Sequence, residues 1–215
     1  MNVYISFLIG FVFLNAQTAS LPKNAPISVL SSIKAVDIEH TSELDTFDPT
    51  WVDSLSLSLP CYGIPVPKRT MRLPNAPRNY RNGTHRGLDF FANWGTPVRS
   101  VADGIVVRSD LHYEEVPADF RENLLKATTK VGHTPSDIFN SVLLGKSVFL
   151  DHGFDLIPGF RTISIYAHLS HIEKEIVPGA IVKRGELLGK SGNTGMREST
   201  IGSKAGSHLH WELIL

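Results

Sequence analysis

Two histidines, His208 and His210, stand one residue apart near the end of the chain, in the run His-Leu-His-Trp-Glu-Leu-Ile-Leu. Side chains at i and i+2 of a β-strand point the same way, so both imidazoles and Glu212 would share one face of a terminal strand. The two imidazoles could bind one metal ion together, or one could bind the ion while the other handles a proton. The alternative is a strand that carries two histidines without any chemical role, and only further ligands elsewhere decide between these readings.

Further ligands are available at His85 and Asp89, which are four residues apart with Gly87 between them. The pair lies on one face of an extended chain, and the glycine permits a close bend. With a histidine of the terminal pair, these residues make a site of two histidines and one carboxylate. Three protein ligands with an open fourth position are typical of catalytic zinc, whereas structural zinc is usually enclosed by four cysteine-rich ligands. Because Cys61 is the only cysteine in the sequence, we expect one Zn²⁺ per chain in a catalytic role.

Proton transfer falls to the remaining histidines, since the sequence has no helical His-Glu-x-x-His motif to supply a glutamate base. A neutral imidazole with a pKa near the working pH suits this task, and His168 joins the terminal pair as a candidate. Glu212 is either a partner that orients a metal ligand or an exposed surface residue. We expect Cys61 to be structural, because no base lies near it in the sequence.

The elements that would position these residues are mainly short β-strands. From Thr96 onward, runs rich in β-branched and apolar residues alternate with Gly, Asp and Pro, as in antiparallel strands joined by turns. We predict strands at 98–101, 104–108, 147–150, 161–166 and 208–215, and two more within 180–189. Residues 116–144 instead carry two helix-start signatures, at Pro117 and Thr134. The sequence therefore predicts a mainly β, single antiparallel β-sheet domain with a helical insertion, which we expect to pack over the back of the sheet rather than border a cleft.

The whole chain divides into three predicted parts. Residues 1–20 are apolar and uncharged and indicate a signal peptide or N-terminal anchor, residues 21–60 a linker or N-terminal extension, and residues 61–215 the folded domain. The first part indicates an exported protein of the periplasm or cell envelope. The 21 basic and 21 acidic residues cancel, which argues against a nucleic acid as partner.

The motifs together resemble those of the lysostaphin-like or LytM-type zinc peptidases. The resemblance covers residues 73–215. The matching segments, in order, are His85–Phe90, Gly95–Val98, Asp103–Val106, Asp151–Gly153, Tyr166–Leu169, Gly185–Gly189, Gly192–Gly195 and His208–His210. The resemblance implies a small antiparallel β-sheet fold with an open groove, and an enzyme that cuts peptide bonds in bacterial peptidoglycan.

The same resemblance separates the two terminal histidines, which spacing alone does not. It implies that His85, Asp89 and His210 bind the zinc ion, and that His168 and His208 assist at the attacking water and the developing oxyanion. The leading hypothesis is an exported zinc metalloendopeptidase acting on peptidoglycan. The alternatives are a catalytically silent module that binds wall peptide or activates a partner amidase, and an enzyme held latent by its N-terminal extension.

Overall fold

The computed structural model describes residues 48, 50–53 and 55–215. All of the described residues belong to one compact unit, including those that precede the expected domain start at residue 61. The predicted signal peptide or anchor and most of the predicted extension lie outside the described residues. Within the described part, no helix has both the length and the apolar character needed to cross a membrane.

The described part is mainly β, as predicted, and its strands all pair antiparallel. The strands are β1 (Pro77–Arg78), β2 (Gly83–Thr84), β3 (Leu88–Phe90), β4 (Pro97–Arg99), β5 (Gly104–Ser109), β6 (Val148–Asp151), β7 (Ile163–Ala167), β8 (Leu169–Ile172), β9 (Ile181–Val182), β10 (Leu187–Ser191) and β11 (Leu209–Ile214). They form a six-stranded sheet in the order β3-β11-β7-β6-β5-β9, a three-stranded sheet in the order β4-β10-β8, and the pair β1-β2. The predicted runs from Thr96 onward thus overlap strands, whereas β8 was not predicted.

Short helices connect the strands. The α-helices are α1 (Thr50–Asp53), α2 (Ala118–Val131), α3 (Ser136–Ile138) and α4 (Arg197–Thr200). Two 3₁₀ turns span Thr70–Arg72 and Asn79–Arg81, and a π-helical turn at Phe139–Leu143 continues directly from α3. The helical insertion predicted for residues 116–144 is therefore present, as α2, α3 and the π-helical turn.

The last strand separates an apolar core from the face that carries polar groups. Leu209 and Trp211 point into the main core, where they pack with Tyr166 and Val101, whereas His210 and Glu212 point to the opposite side. This alternation follows from the period of two along a strand, and it is the pattern that the sequence predicts. Packing of the core face holds β11, and hence the histidine face, in place.

The helical insertion covers the histidine face of the sheet, so its expected position over the back was wrong. Phe139 and Leu143 are buried in a second apolar cluster with Ile165 and Ala167 of β7. Ala167 lies directly opposite His210 in the pairing of β7 with β11, on the same face. Burial of the apolar side chains on that face away from water is favourable, and the insertion buries them.

The segment just before residue 61 also belongs to the domain. Leu57 packs against the main core, and the Ser58 amide donates a hydrogen bond to the Val101 carbonyl at 2.9 Å. The Arg99 amide donates to the Pro60 carbonyl at 2.8 Å. These contacts join Leu57, Ser58 and Pro60 to the folded domain.

Candidate active site

Strand pairing brings the two distant halves of the site together. His210 of β11 lies directly opposite Asp89 of β3, its neighbour in the six-stranded sheet. His85 reaches the same point from the segment before β3, where Gly87 lets the chain pass close to β11. A Cβ added at Gly87 would lie 2.2 Å from the Trp211 carbonyl oxygen, closer than any real contact. The glycine between the two predicted ligands is thus required by this close approach.

Three side-chain atoms converge at this point. His85 Nε2 lies 2.8 Å from Asp89 Oδ1 and 3.0 Å from His210 Nδ1, and His210 Nδ1 lies 3.0 Å from the same Asp89 oxygen. One ligand atom from each residue lies within 4.8 Å of the others. The two histidines and the aspartate are buried. The structure therefore assembles the predicted site of two histidines and one carboxylate.

The outer nitrogens of the two rings determine which atoms are free. His85 Nδ1 lies 2.8 Å from the Leu73 carbonyl oxygen, and His210 Nε2 lies 2.7 Å from Glu212 Oε1. Because these oxygens only accept hydrogen bonds, the outer nitrogens carry the hydrogen. In neutral rings, two lone pairs then face each other at 3.0 Å beside a carboxylate oxygen. Such a centre requires a positive charge between its members, and its nitrogen and oxygen donors fit a zinc ion.

The charges around the centre agree with this requirement. Burial raises the pKa of Asp89, but hydrogen bonds with His208, His210 and His85 lower it by more, so its pKa lies well below the usual range. Burial lowers the pKa of His210, but hydrogen bonds with Asp89 and Glu212 raise it above the ordinary value. The Asp89 carboxylate thus stays ionised and favours a cation at the histidines.

The other two predicted histidines flank this centre. The His168 and His208 ring centroids are 4.8 Å apart, and His208 Nε2 lies 3.4 Å from Asp89 Oδ1. His168 Nδ1 donates to the Thr194 carbonyl and His208 Nδ1 to the Gly206 carbonyl, each at 2.8 Å. In His168 the Nε2 atom is therefore left to accept a proton, whereas His208 Nε2 faces the Asp89 carboxylate.

His168 is held in an unusual backbone conformation. Its φ is +60°, in the left-handed region that a non-glycine residue seldom adopts. Its amide donates to the Leu144 carbonyl at 2.9 Å, which ties the residue to the end of the insertion. Burial lowers the pKa of His168 well below the ordinary value, and the nearby His208 and His210 lower it further. The ring is therefore neutral near neutral pH, with a free lone pair at Nε2.

A cavity of about 200 Å³ adjoins all five predicted site residues. The helical insertion forms part of its lining through Arg121, Phe139 and Leu143, and the loop before α4 contributes Gly195. Elements distant in the sequence thus surround the convergent histidines, as expected of a site that binds a small group beside a catalytic centre.

Several site residues carry no signal that reveals them in the sequence. Arg78 Nη2 lies 3.1 Å from Asp89 Oδ2, and it fixes the carboxylate from the side opposite the histidines. Glu212 is 1% exposed, which settles its predicted alternatives in favour of a partner that orients His210. The carbonyl groups that hold the histidine rings belong to the backbone, so no residue type identifies them.

Other residues outside the site agree with structural roles. Burial raises the pKa of the Cys61 thiol to about 12, which keeps it protonated. Both ring nitrogens of the buried His152 have partners, the Asp103 carbonyl at 2.6 Å and Ser164 Oγ at 2.7 Å. Neither side chain has a free reactive atom directed at the site.

Residues 127–215 match the sequence family described as peptidase family M23. This region contains His168, His208 and His210. Residues 127–215 are thus similar to an M23 peptidase domain. The predicted resemblance is thereby confirmed. His85 and Asp89 precede the matched region, and the pairing of β3 with β11 places Asp89 opposite His210.

Individual relatives share part of the chain. An uncharacterized metalloprotease of Haemophilus influenzae is 30% identical over 128 residues, which are 60% of this chain and 18% of that protein. A zinc-containing peptidase from Vibrio cholerae is 23% identical, with a TM-score of 0.37 over 61% of this chain and 27% of its own. The catalytic domain of lysostaphin from Staphylococcus simulans is 20% identical, with a TM-score of 0.38 over 78% of this chain and 85% of its own. This chain thus spans less than a third of the length of the first two proteins.

Proposed function

We propose that this protein is an exported zinc metalloendopeptidase that hydrolyses peptide bonds in bacterial peptidoglycan. The observation that carries the proposal is the convergence of His85, Asp89 and His210 on one point, with His168 and His208 beside it. The similarity of residues 127–215 to a peptidase family supports hydrolysis of peptide bonds. The apolar residues 1–20 support export, which brings the enzyme to the wall.

The proposed ligands are His85 through Nε2, His210 through Nδ1, and Asp89 through its carboxylate. Each is fixed from outside by a hydrogen bond that sets its orientation: from His85 to Leu73, from His210 to Glu212, and from Arg78 to Asp89. Polarisation of the scissile carbonyl and activation of water are the chemistry that a bound zinc ion supplies. The donors lie on a strand pair and its adjoining segment, so they are in place before the ion binds.

His168 and His208 handle protons in this proposal. His168 accepts the proton of the attacking water at Nε2, because its Nδ1 hydrogen is committed to Thr194 and burial keeps the ring neutral. The same atom can then deliver the proton to the leaving amine. His208, across the ring pair from His168, donates a hydrogen bond from Nε2 to the oxyanion as it develops, when that nitrogen carries the proton.

Metal content and metal-dependent activity test the proposal together. We expect one zinc ion per chain in the wild-type protein and hydrolysis of purified peptidoglycan that stops on chelation and returns with zinc. His210→Ala removes one proposed ligand and is expected to lose both the ion and the activity. Arg184→Gln is a suitable control, because this exposed side chain lies outside the cavity lining. Full activity in the chelated protein would overturn the proposal.

A further inference from the structure

Two arginines in the cavity beside the candidate metal centre lack the acidic partners that other arginines have. Pairs in the described part include Arg78 with Asp89, Arg86 with Glu212, Arg108 with Asp110, and Arg161 with Asp151. Within that same part, Arg81 and Arg121 form no ion pair with a carboxylate. Their exposed fractions are only 5% and 8%. Burying a guanidinium without an anion is costly, so an external anion would be bound favourably.

The protein contacts of the two side chains hold them in position without neutralising them. Arg121 Nε donates to the Gly195 carbonyl at 3.0 Å. Arg81 donates to the Thr84 carbonyl and to Thr134 Oγ1, and its guanidinium lies 4.8 Å from the centre of the Phe139 ring. All these partners are uncharged. In the described part, the two Nη groups of Arg121 have no protein acceptor.

The carboxylate of Glu115 is engaged elsewhere. Glu115 accepts hydrogen bonds from the Gly195 amide at 3.2 and 3.0 Å and from the Tyr113 hydroxyl at 3.0 Å. Burial lowers the pKa of Arg121, and the charges of Glu115 and Glu198 raise it only from beyond ion-pair distance. The carboxylate that does line the cavity, Asp89, belongs to the metal centre and already pairs with Arg78.

The cavity itself is positively charged. Its lining contains three arginines, Arg78, Arg81 and Arg121, against the single carboxylate of Asp89. Both unpaired arginines line the same 200 Å³ space as the proposed zinc ligands. An anion held there would lie next to the centre at which the peptide bond is cut. Guanidinium groups bind carboxylates through paired N–H donors, which gives such a site its chemical selectivity.

We propose that Arg81 and Arg121 form a subsite for a carboxylate of the peptide substrate, adjacent to the scissile bond. This inference rests on the proposed peptidase function and names its substrate class: peptides that carry an anionic group beside the bond that is cut. The carboxylate is either the free C-terminus of the peptide or an acidic side chain. Both sources present a carboxylate to the arginines. Amidation of the C-terminus removes the first carboxylate, and replacement of Glu by Gln removes the second.

Direct binding tests the subsite separately from catalysis. The probes are N-acetyl-dialanine as the free acid and as the C-terminal amide, in L and D forms, and N-acetyl-Ala-Glu-amide against N-acetyl-Ala-Gln-amide. Affinities are measured by calorimetry on zinc-loaded protein that carries His168→Ala to prevent turnover. We expect one of the two acids to bind about 10- to 100-fold more tightly than its amide, as for a hydrogen-bonded charge pair. Preference for the free C-terminus identifies a terminal carboxylate, and preference for Glu over Gln identifies a side chain.

Arg121→Gln in this background is expected to abolish the preference for the acid, while Arg184→Gln retains it. A carboxylate bound only by the metal ion would keep its preference in Arg121→Gln, and that result would overturn the inference. Equal binding of acid and amide, or no binding of either acid, would also overturn it. If the wild type hydrolyses peptidoglycan but the acid binds no more tightly than the amide, the subsite alone is refuted. If the acid binds more tightly through Arg121 but the wild type cuts no peptide, the peptidase function alone is refuted.

Discussion

The hydrogen bond between His210 and Glu212 provides a sharp test of how the metal centre is built. Glu212 Oε1 accepts from His210 Nε2 at 2.7 Å, and the carboxylate is 1% exposed. Glu212→Gln keeps the shape and one acceptor oxygen but removes the negative charge. It therefore removes the electrostatic part of the interaction that orients a proposed zinc ligand, together with the ion pair between Glu212 and Arg86.

The size of the effect follows from the change in hydrogen-bond type. A bond to a charged group contributes about 1.5–3 kcal/mol and a neutral one about 0.5–1.5 kcal/mol, so the substitution removes roughly 1–1.5 kcal/mol. Zinc affinity should fall about tenfold, since 1.4 kcal/mol corresponds to a factor of ten. Loss of a partner behind a metal ligand typically costs roughly 10- to 100-fold in affinity or activity, which agrees with this figure.

The assay is competition for zinc against a chromophoric chelator at fixed pH, with thermal unfolding of the metal-free protein as a check on the fold. Glu122→Gln is the matched control, because its carboxylate lies 3.0 Å from Lys126 Nζ on the surface of α2, with 67% of the side chain exposed. We expect no change in zinc affinity for the control. An unchanged affinity in a folded Glu212→Gln protein would refute the proposed role of Glu212.

Three further substitutions probe other parts of the site. His168→Ala should lower kcat by about 10²- to 10⁴-fold with zinc still bound, because it removes the proposed proton acceptor. If the same variant still activates a partner amidase, that result would instead support the silent-module alternative. Gly87→Ala should lower the free energy of unfolding by about 1–3 kcal/mol, because its Cβ would meet the Trp211 carbonyl. Chemical denaturation that gives the wild-type free energy would contradict this close approach. Trp211→Ala should lower the free energy of unfolding by about 3–5 kcal/mol and weaken zinc binding by loosening β11. If the variant keeps the wild-type zinc affinity, measured with the same chelator, core packing does not control the position of the ligands.

Local pattern in the sequence was enough to predict one side of the site. The period of two along the last strand places His210 and Glu212 on one face, and the structure joins them by a hydrogen bond. Gly87 between His85 and Asp89 predicts a tight local arrangement, and the two side chains do meet. These features depend on residues close in the chain, where spacing and backbone geometry are sufficient.

Contacts between distant segments were not predictable in the same way. Asp89 and His210 are 121 residues apart, and their meeting depends on the register of β3 with β11. The insertion has apolar residues that need a cover, but nothing in its sequence states which face of the sheet it contacts. No sequence feature distinguishes Arg121 from other helix residues, and only the packing of α2 places it in the cavity with Arg81.

Mass spectrometry of the fragments released from purified peptidoglycan tests the central proposal most directly. Zinc-loaded protein is expected to release fragments with one new amine and one new carboxylate at a single type of peptide bond. The chelated protein and the His210→Ala variant should release none of these fragments. Release of the same fragments by the chelated protein, or no release by the zinc-loaded protein, would contradict the account of this site as a zinc peptidase centre.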